Sequence, residues 1–171
     1  FKPLKSLTGK NYIERTVISA LKNGIAIYAA HTSVDNSYQG INKYLADKLN
    51  LSKQKILSPM SDYLLKLVTF VPSDYAEKVR NAIFEAGAGN IGNYDCCSYN
   101  LTGFGTFRAG ENTNAFVGKK GEIHREEEIR IETIFESFNL SKVVNAMKVA
   151  HPYEEVAYDI YPLVNKHDRF G

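Results

Sequence analysis

Residues 126–135, EEEIRIETIF, alternate polar and apolar side chains and are followed by two further patterned segments. This alternation predicts a strand with one buried face, because successive side chains on a strand point to opposite sides. The residues that share one side of this strand are Ile129, Ile131, Thr133 and Phe135. Residues 140–150, LSKVVNAMKVA, carry apolar side chains at helical spacing, and residues 155–161 predict a closing strand. This strand, helix and strand constrain the fold more than any other part of the sequence.

The sequence before this unit carries a similar pattern. Residues 64–71, LLKLVTFV, predict a strand that ends at Pro72, and residues 73–86 predict a helix. Residues 93–108 predict one or two strands, and the Gly- and Asn-rich residues 100–121 predict a long excursion between the middle strands. The resulting order, β-α-β-β-α-β, is that of an α+β ferredoxin-like fold, also called split βαβ.

The first third of the chain indicates an α/β layered structure. Residues 12–22 predict a helix that either Thr8 or Asn11 is in position to cap. Residues 24–30, GIAIYAA, form a continuous apolar run, which is typical of a strand buried on both faces. A second helix is predicted over residues 41–49. We therefore expect an α/β core segment followed by an α+β ferredoxin-like domain.

The composition argues against several classes of protein. The 171 residues carry a formal net charge of +2, which is low for a nucleic-acid-binding protein. The apolar runs are too short to span a bilayer. The two cysteines, Cys96 and Cys97, supply neither a disulfide framework nor a four-ligand zinc site. These features favour a cytoplasmic protein. Because the chain starts on Phe1 rather than Met, we expect it to be a piece of a longer protein.

Residues 87–92, GAGNIG, match the G-x-G-x-x-G spacing of dinucleotide-binding folds. Such a site needs a strand before the glycines and a helix after them. Here a helix is predicted before the glycines, and strand-like sequence follows them. We therefore expect these glycines to end the helix and turn the chain, with no cofactor bound to them.

His31 and Asp35 follow the predicted strand over residues 24–30. Ligands of open α/β sheets bind beyond the carboxyl ends of strands, so these two side chains are candidates to hold one ion or one reacting water. The alternative is that Asp35 only forms a turn with the residues after it. Two residues by themselves do not complete a metal shell.

His151 and the three glutamates at residues 126–128 also have two interpretations each. His151 lies close to Glu154 and Glu155, a grouping that is able to bind a cation or move a proton. The favoured alternative is that His151 closes the preceding helix, which Pro152 prevents from continuing. The simplest interpretation of the three glutamates is that they are exposed to water at the start of the predicted strand.

Several segments of the chain resemble the Nif-three-like family, whose members are named as homologues of a type 2 GTP cyclohydrolase I. In the first third these segments are residues 27–36, IYAAHTSVDN, with Gly40, Ile41, Asn42, Leu45 and Ala46. Further along they are residues 87–94, GAGNIGNY, residues 105–107, GTF, residues 127–133, EEIRIET, and residues 151–159, HPYEEVAYD. The later segments resemble the insert of the longer bacterial members, and the resemblance covers nearly the whole chain.

This resemblance implies a split domain organisation and an assembly. Residues 1–62 would be a segment of the Nif-three-like α/β core domain, and residues 63–165 an inserted domain similar to PII and CutA proteins. Residues 166–171 would begin the return to the core domain. Members of the family form toroidal homohexamers, so self-association into a homohexamer built from trimers is implied.

The resemblance also implies two divalent metal ions (zinc, iron or manganese) held by His and carboxylate ligands. Asp35 is the residue of this chain that matches a ligand position of the family. The other ligands would lie outside the chain, so this segment would not bind the ions fully.

The function implied is that of a metal-dependent hydrolase acting on a nucleotide-like or phosphate substrate, with Asp35 and a water bridging the ions. No catalytic residue is identified. The alternative is a metal- or ligand-sensing oligomeric scaffold without catalysis. Turnover by the metal-loaded complete protein would distinguish the two.

Overall fold

A computed structural model describes residues 4–59, 61 and 63–165. These residues form a fold of mixed helices and strands with a four-stranded antiparallel sheet. The chain divides into two compact units, Phe1–Gln54 and Lys55–Gly171, which are described separately below as the N-terminal and C-terminal units. Within the part of the chain that is described, no helix is long and apolar enough to cross a membrane.

Three helices make up the N-terminal unit: α1 at Tyr12–Lys22, α2 at Thr32–Asp35 and α3 at Ile41–Lys48. The helices predicted over residues 12–22 and 41–49 are therefore confirmed. Asn11 is the residue that caps α1, since its Oδ1 accepts a hydrogen bond from the Glu14 backbone N–H at 2.9 Å. The buried Glu14 carboxylate accepts in return from Asn11 Nδ2 at 2.8 Å through Oε1, and its Oε2 accepts from the Thr8 N–H at 2.9 Å and the Thr8 hydroxyl at 2.8 Å. This reciprocal arrangement resembles a capping box.

The strand predicted over residues 24–30 is wrong. After Gly24, whose φ of +64° ends α1, residues 25–30 are irregular and exposed. Ile25 and Ile27 have 60% and 61% of their surface exposed. A strand needs a neighbour to satisfy its backbone N–H and C=O groups, and residues 4–54 contain no other strand. An apolar run by itself does not supply that neighbour.

The C-terminal unit contains four strands and two helices within its described residues. They are β1 at Leu64–Pro72, α4 at Ala76–Glu85, β2 at Tyr99–Arg108, β3 at Ile123–Glu136, α5 at Leu140–Ala150 and β4 at Tyr158–Leu163. The sheet order is β2-β3-β1-β4, with antiparallel pairing throughout. A short 3-10 turn, Ser73–Tyr75, precedes α4. The helix predicted over residues 140–150 is confirmed.

Both helices of the C-terminal unit contribute to one core with one face of the sheet. Leu67, Ile131, Ile83 and Met147 are completely buried members of this core. The register of β1 with β3 sets Leu67 opposite Thr133 and Thr69 opposite Ile131. The alternation predicted for β3 is thus confirmed. By the same alternation, Phe70, Glu128 and Arg130 lie on the face opposite the helices.

β3 is staggered relative to its two neighbours. Residues 123–132 pair with β2, whereas residues 128–136 pair with β1. The outer end of β3, residues 123–127, is therefore paired with β2 alone and extends beyond β1 as part of a two-stranded hairpin.

Two predicted boundaries are wrong. The excursion expected over residues 100–121 is shorter, because β2 occupies Tyr99–Arg108 and pairs with β3 along its whole length. Gly103 and Gly105, at alternate positions of β2, make the sequence of this segment less typical of a strand. The last strand begins at Tyr158 rather than at Glu155, because residues 152–155 are bends that follow Pro152.

The glycines of residues 87–92 end a helix, as predicted. α4 stops at Glu85, and Gly87 and Gly89 have φ angles of +103° and +82°. The Gly89 N–H donates to the Ile134 carbonyl at 2.8 Å, and the Gly89 carbonyl accepts from the Cys97 N–H at 2.9 Å. The segment therefore ties the end of α4 to β3. That no cofactor binds there stays a prediction.

Candidate functional site

Asp35 is the last residue of the four-residue helix α2, and it is exposed. Its backbone carbonyl accepts a hydrogen bond from Asn42 Nδ2 at 3.0 Å. His31 precedes α2, and its carbonyl accepts from the Val34 N–H at 3.0 Å. The expected placement of Asp35 just beyond a strand end is wrong, because the strand over residues 24–30 is absent. The carboxylate instead sits on a short helix.

Gly40 fixes the turn between α2 and α3. A Cβ added at this position would overlap the Val34 carbonyl oxygen and lie 2.9 Å from the Ser37 carbonyl oxygen. Only glycine fits this approach without moving the backbone. The position of Asp35 relative to α3 therefore depends on a residue that has no side chain.

The described residues do not fit a pair of metal ions on their own. Among residues 4–59, 61 and 63–165, no three His, Cys, Asp or Glu side chains come together as a metal-binding group. A structural metal shell needs about four ligands. Asp35 is thus able to supply one oxygen ligand, and no reaction step through a metal is derived from this chain.

The C-terminal unit contains a cavity of about 650 Å³. It lies against the sheet face opposite the helices, on residues of β1, β2 and β3, and is walled by residues 109–116 and 153–157. We call it the sheet cavity. The side chains that give it its character are Phe70, Phe107, Phe116, Glu128, Arg130 and Tyr153.

Glu128 places a carboxyl group in the sheet cavity although the residue is only 8% exposed. The Tyr153 hydroxyl donates to Glu128 Oε1 at 3.1 Å. Burial raises the pKa of Glu128, and the nearby charge of Glu126 raises it further, while the hydrogen bond from Tyr153 opposes both effects. Burial raises the pKa of Tyr153 as well. A carboxyl group with a raised pKa in a cleft is a recognised feature of functional sites.

His151 positions Tyr153. The Tyr153 backbone N–H donates to His151 Nδ1 at 3.1 Å, so the ring proton lies on Nε2, which donates to the Phe70 carbonyl at 3.0 Å. Burial lowers the pKa of His151 and so favours the neutral ring. The backbone N–H of His151 also donates to the Met147 carbonyl at 3.0 Å and closes α5. This structural role agrees with the favoured interpretation, except that the ring contacts β1 rather than the end of the helix.

Aromatic rings form the walls of the sheet cavity. The Tyr153 ring centroid is 6.1 Å from those of Phe107 and Phe116, and Phe116 packs edge-on against Tyr75 at 5.5 Å. Asn114 N–H donates to Glu154 Oε1 at 2.9 Å and connects the two wall segments. Rings in such contact provide flat apolar surfaces at fixed positions.

Arg130 provides a second polar group beside Phe70, whose ring centroid is 5.9 Å from the guanidinium carbon. Its Nη2 pairs with Glu132 Oε1 at 2.9 Å, and Glu132 Oε2 pairs with Lys66 at 3.0 Å. Arg130 Nε is buried and has no hydrogen-bond partner among the described residues. A buried donor without an acceptor costs free energy that a suitable ligand atom would restore.

This site is not predicted from the sequence. Residues 126–128 read as a solvated strand entrance because three consecutive glutamates usually face water. One signal was present: the alternation that buries Ile129 and Ile131 puts Glu128 and Arg130 together on the other face. What the sequence did not show is that Tyr153, distant along the chain, closes over Glu128.

The two units together define a protein of mixed α and β structure whose second unit carries a ligand-sized cavity. The Duf34/NIF3 (NGG1p interacting factor 3) family model matches residues 1–158, and the chain belongs to this family.

Known relatives agree with this assignment. The chain is 45% identical over 172 residues to a protein of Halalkalibacterium halodurans named GTP cyclohydrolase 1 type 2 homolog, covering 100% of this chain and 46% of the relative. It superposes on the crystal structure of a Bacillus cereus protein related to NIF3 with a TM-score of 0.75 and 45% identity, covering 100% of this chain and 45% of that one. The chain thus spans about half the length of these relatives.

The C-terminal unit was expected to be similar to CutA. A CutA1 structure from a psychrotrophic Shewanella covers 62% of this chain and 86% of its own, with 15% identity and a TM-score of 0.46. These values are too low to establish a common fold, so the similarity stays a prediction.

Proposed function

We propose that the complete protein binds two divalent metal ions and is a metal-dependent hydrolase, with Asp35 as the metal ligand that this chain supplies. Membership of the Duf34/NIF3 family is the observation that carries the proposal. The exposed carboxylate of Asp35, on a helix whose connection to α3 requires Gly40, supports it. Hard divalent ions prefer anionic oxygen ligands. The remaining ligands come from parts of the protein outside residues 4–165.

The domain organisation belongs to the same proposal. Residues 1–62 are a segment of a Nif-three-like core domain, and residues 63–165 are a ferredoxin-like insert of the PII and CutA type. The element order of the C-terminal unit and its sheet order, β2-β3-β1-β4, support a split βαβ fold. Residues 166–171, where the chain would return to the core domain, lie outside the described residues.

We propose further that the insert associates with copies of itself as trimers, which build a homohexamer. β2 is an edge strand of ten residues, and Tyr99 and Phe104 on it are 65% and 57% exposed. A long edge strand with exposed rings is suited to pairing with another chain. Tyr99→Lys should lower the sedimentation coefficient of the complete protein, whereas Val149→Lys, at an exposed position of α5, should not. An unchanged assembly in Tyr99→Lys would count against the β2 edge as the interface.

Metal analysis of the complete protein tests the role of Asp35. Asp35→Asn keeps the shape of the side chain and removes its charge, so we expect metal content after dialysis to fall steeply while the fold survives. Asp74→Asn, an exposed acid in the C-terminal unit, is the matched control and should keep its metal. Equal metal in Asp35→Asn and wild type would remove Asp35 from the site.

A second candidate function is a ligand-sensing scaffold without catalysis. The sheet cavity favours it, because the cavity is of ligand size and is built entirely within the C-terminal unit. Turnover of nucleotides or phosphoesters by the metal-loaded complete protein would support the hydrolase. Saturable binding without turnover would support the scaffold.

A further inference from the structure

We propose that the sheet cavity binds a flat bicyclic heteroaromatic molecule, which donates an N–H hydrogen bond to Glu128 and directs an acceptor atom toward Arg130. The proposal does not depend on the metal ions. It gives the second candidate function the chemical class of its ligand.

The floor of the sheet cavity is free of side chains where a flat ring would lie. Gly103 and Gly105 occupy alternate positions of β2 on the same face as Glu128. A Cβ added at Gly103 would meet nothing within 4 Å, so open space lies above it. A Cβ added at Gly105 would overlap the Glu128 carboxylate. Gly103 therefore leaves room for a planar ligand, and Gly105 lets the Glu128 carboxylate lie flat on β2.

The walls of the sheet cavity favour an aromatic ligand. Phe107 and Phe116 each pack against Tyr153, with ring centroids 6.1 Å from the Tyr153 centroid. Aromatic pairs prefer offset or edge-to-face geometry, and a flat ligand inserted beside them gains such contacts over a large area. The volume of about 650 Å³ is of the size that small-molecule sites have in general.

The polar groups set where the ligand places its donor and its acceptor. Glu128 Oε1 accepts from Tyr153, and a carboxylate offers about four lone-pair positions, so acceptor capacity remains for a ligand N–H. Arg130 Nε is buried without an acceptor among the described residues and would take a ring nitrogen or carbonyl oxygen. Glu128 and Arg130 are two positions apart on one face of β3, so their Cα atoms are about 7 Å from each other. A bicyclic ring with a donor on one side and an acceptor on the other is of a size to contact two side chains that leave the strand at this spacing.

The charges in the sheet cavity favour a neutral ligand. The lining carries three carboxylates, Glu128, Glu154 and Glu155, and two guanidinium groups, Arg108 and Arg130. Neither a strongly anionic nor a strongly cationic molecule therefore matches it. Burial raises the pKa of Glu128, so its carboxyl group is charged less readily than an exposed one and attracts a cationic ligand less. An N–H donor satisfies the carboxyl group without bringing in a net charge.

Ligand-observed NMR titration of the complete protein with 4-quinolone tests the proposal. This neutral bicyclic probe carries an N–H on one side and a carbonyl on the other, and N-methyl-4-quinolone is the same ring without the donor. We expect 4-quinolone to bind saturably and its N-methyl derivative to bind at least about tenfold more weakly, as loss of a hydrogen bond to a charged group predicts. Absence of saturable binding, or equal affinity of the two probes, would overturn the proposal.

Two pairs of variants place the probe in the sheet cavity. Glu128→Met should weaken 4-quinolone binding about tenfold, whereas Glu127→Met, at an exposed position on the opposite face of β3, should leave it unchanged. Gly105→Ala should weaken binding by displacing the Glu128 carboxylate, and Gly110→Ala, whose added Cβ meets nothing within 4 Å and which lies outside the cavity lining, is its control. Thermal melting establishes that each variant is folded. Unchanged binding in both folded Glu128→Met and folded Gly105→Ala would contradict the proposal.

The outcome is separable from the hydrolase proposal. Metal content and phosphoester turnover are measured on the same preparations, and neither depends on Glu128 or Gly105. Loss of 4-quinolone binding with metal retained identifies a failure in the sheet cavity. Loss of metal in Asp35→Asn with 4-quinolone binding retained identifies a failure in the metal site.

Discussion

Helices with similar apolar patterns are buried to different extents in the two units of this chain. In the C-terminal unit, Ile83 of α4 and Met147 of α5 are completely buried against the sheet. In the N-terminal unit, Leu21 of α1 is 66% exposed and Tyr44 of α3 is 60% exposed. The helices of both units carry apolar residues at helical spacing, so that pattern is not what distinguishes the units.

The difference shows that a helix pattern specifies a face but not what covers it. The C-terminal unit contains the four-stranded sheet, so its helices pack against a surface formed by the same segment of chain. The N-terminal unit has no strand among its described residues, and its apolar face has no such surface. We propose that the rest of the Nif-three-like core domain covers it in the complete protein.

Truncating one apolar side chain in each unit gives the largest test of this comparison. Ile83→Ala should destabilise the 171-residue chain by about 2–5 kcal/mol, because it opens a cavity in the core. Leu21→Ala should change stability by less than about 0.5 kcal/mol in the same chain. Chemical denaturation measures both effects. In the complete protein, Leu21→Ala should become clearly destabilising, and an effect near zero there would refute the proposed covering.

Gly89 tests whether the C-terminal unit tolerates change at the end of α4. Its φ is +82°, and an added Cβ would lie 2.8 Å from the Phe84 ring and 2.9 Å from the Cys97 backbone nitrogen. Gly89→Ala should therefore cost about 2–4 kcal/mol through backbone strain and overlap. Gly92 has a φ of +59°, and an added Cβ would meet nothing within 4 Å, so Gly92→Ala should cost only about 1 kcal/mol. Similar costs measured by thermal unfolding would contradict the close packing at Gly89.

Acid should destabilise the two units in different pH ranges. The lowered pKa of His151 means that its neutral form stabilises the C-terminal unit fully above about pH 6.5, and that this contribution is lost as pH falls through the lowered value. The hydrogen bond from the Thr8 hydroxyl lowers the pKa of Glu14, so its contribution to the N-terminal unit is lost only as pH falls below 4.5.

Glu128 has the opposite effect on the pH dependence of stability. Because its pKa is raised in the folded state, its protonation at low pH stabilises the C-terminal unit. The effect of His151 is therefore isolated by comparing wild type with His151→Gln. We expect the wild type to lose stability relative to His151→Gln as the pH is lowered below 6.5, the ordinary pKa of histidine. Parallel pH profiles of the two proteins in urea denaturation would show that His151 does not titrate in this way.

The smallest expected effect concerns the cap of α1. Asn11→Ala removes the acceptor for the Glu14 N–H and should cost about 1 kcal/mol of helix stability. Because α1 has little tertiary cover, we expect faster hydrogen exchange of its amides with no change in the melting of the C-terminal unit. Lys22→Ala, at the exposed end of the same helix, is the control. A lower melting temperature of the C-terminal unit in Asn11→Ala would show that the two units unfold together.

The sequence predicted local structure better than pairing or sites. α1, α3, α5 and the alternation of β3 follow from side-chain periodicity and capping residues, which act within a few positions. The missing strand over residues 24–30 could not be foreseen, because a strand depends on partners that are remote in the chain. The same reason explains why Glu128 was misinterpreted: its partner Tyr153 is near it only in the folded structure.

Because β3 is staggered, the sheet of the C-terminal unit narrows to a two-stranded ribbon beyond the residues that pair with β1. Residues 128–136 are held by β1 and by the helices packed beneath it, while residues 123–127 project with β2 as a ribbon. Two-stranded ribbons are more strongly twisted than wider sheets, so we expect the twist of β3 to increase where its pairing with β1 ends. Glu128 lies where the pairing with β1 ends, so the carboxyl group of the sheet cavity stands at the junction between the wide sheet and the ribbon.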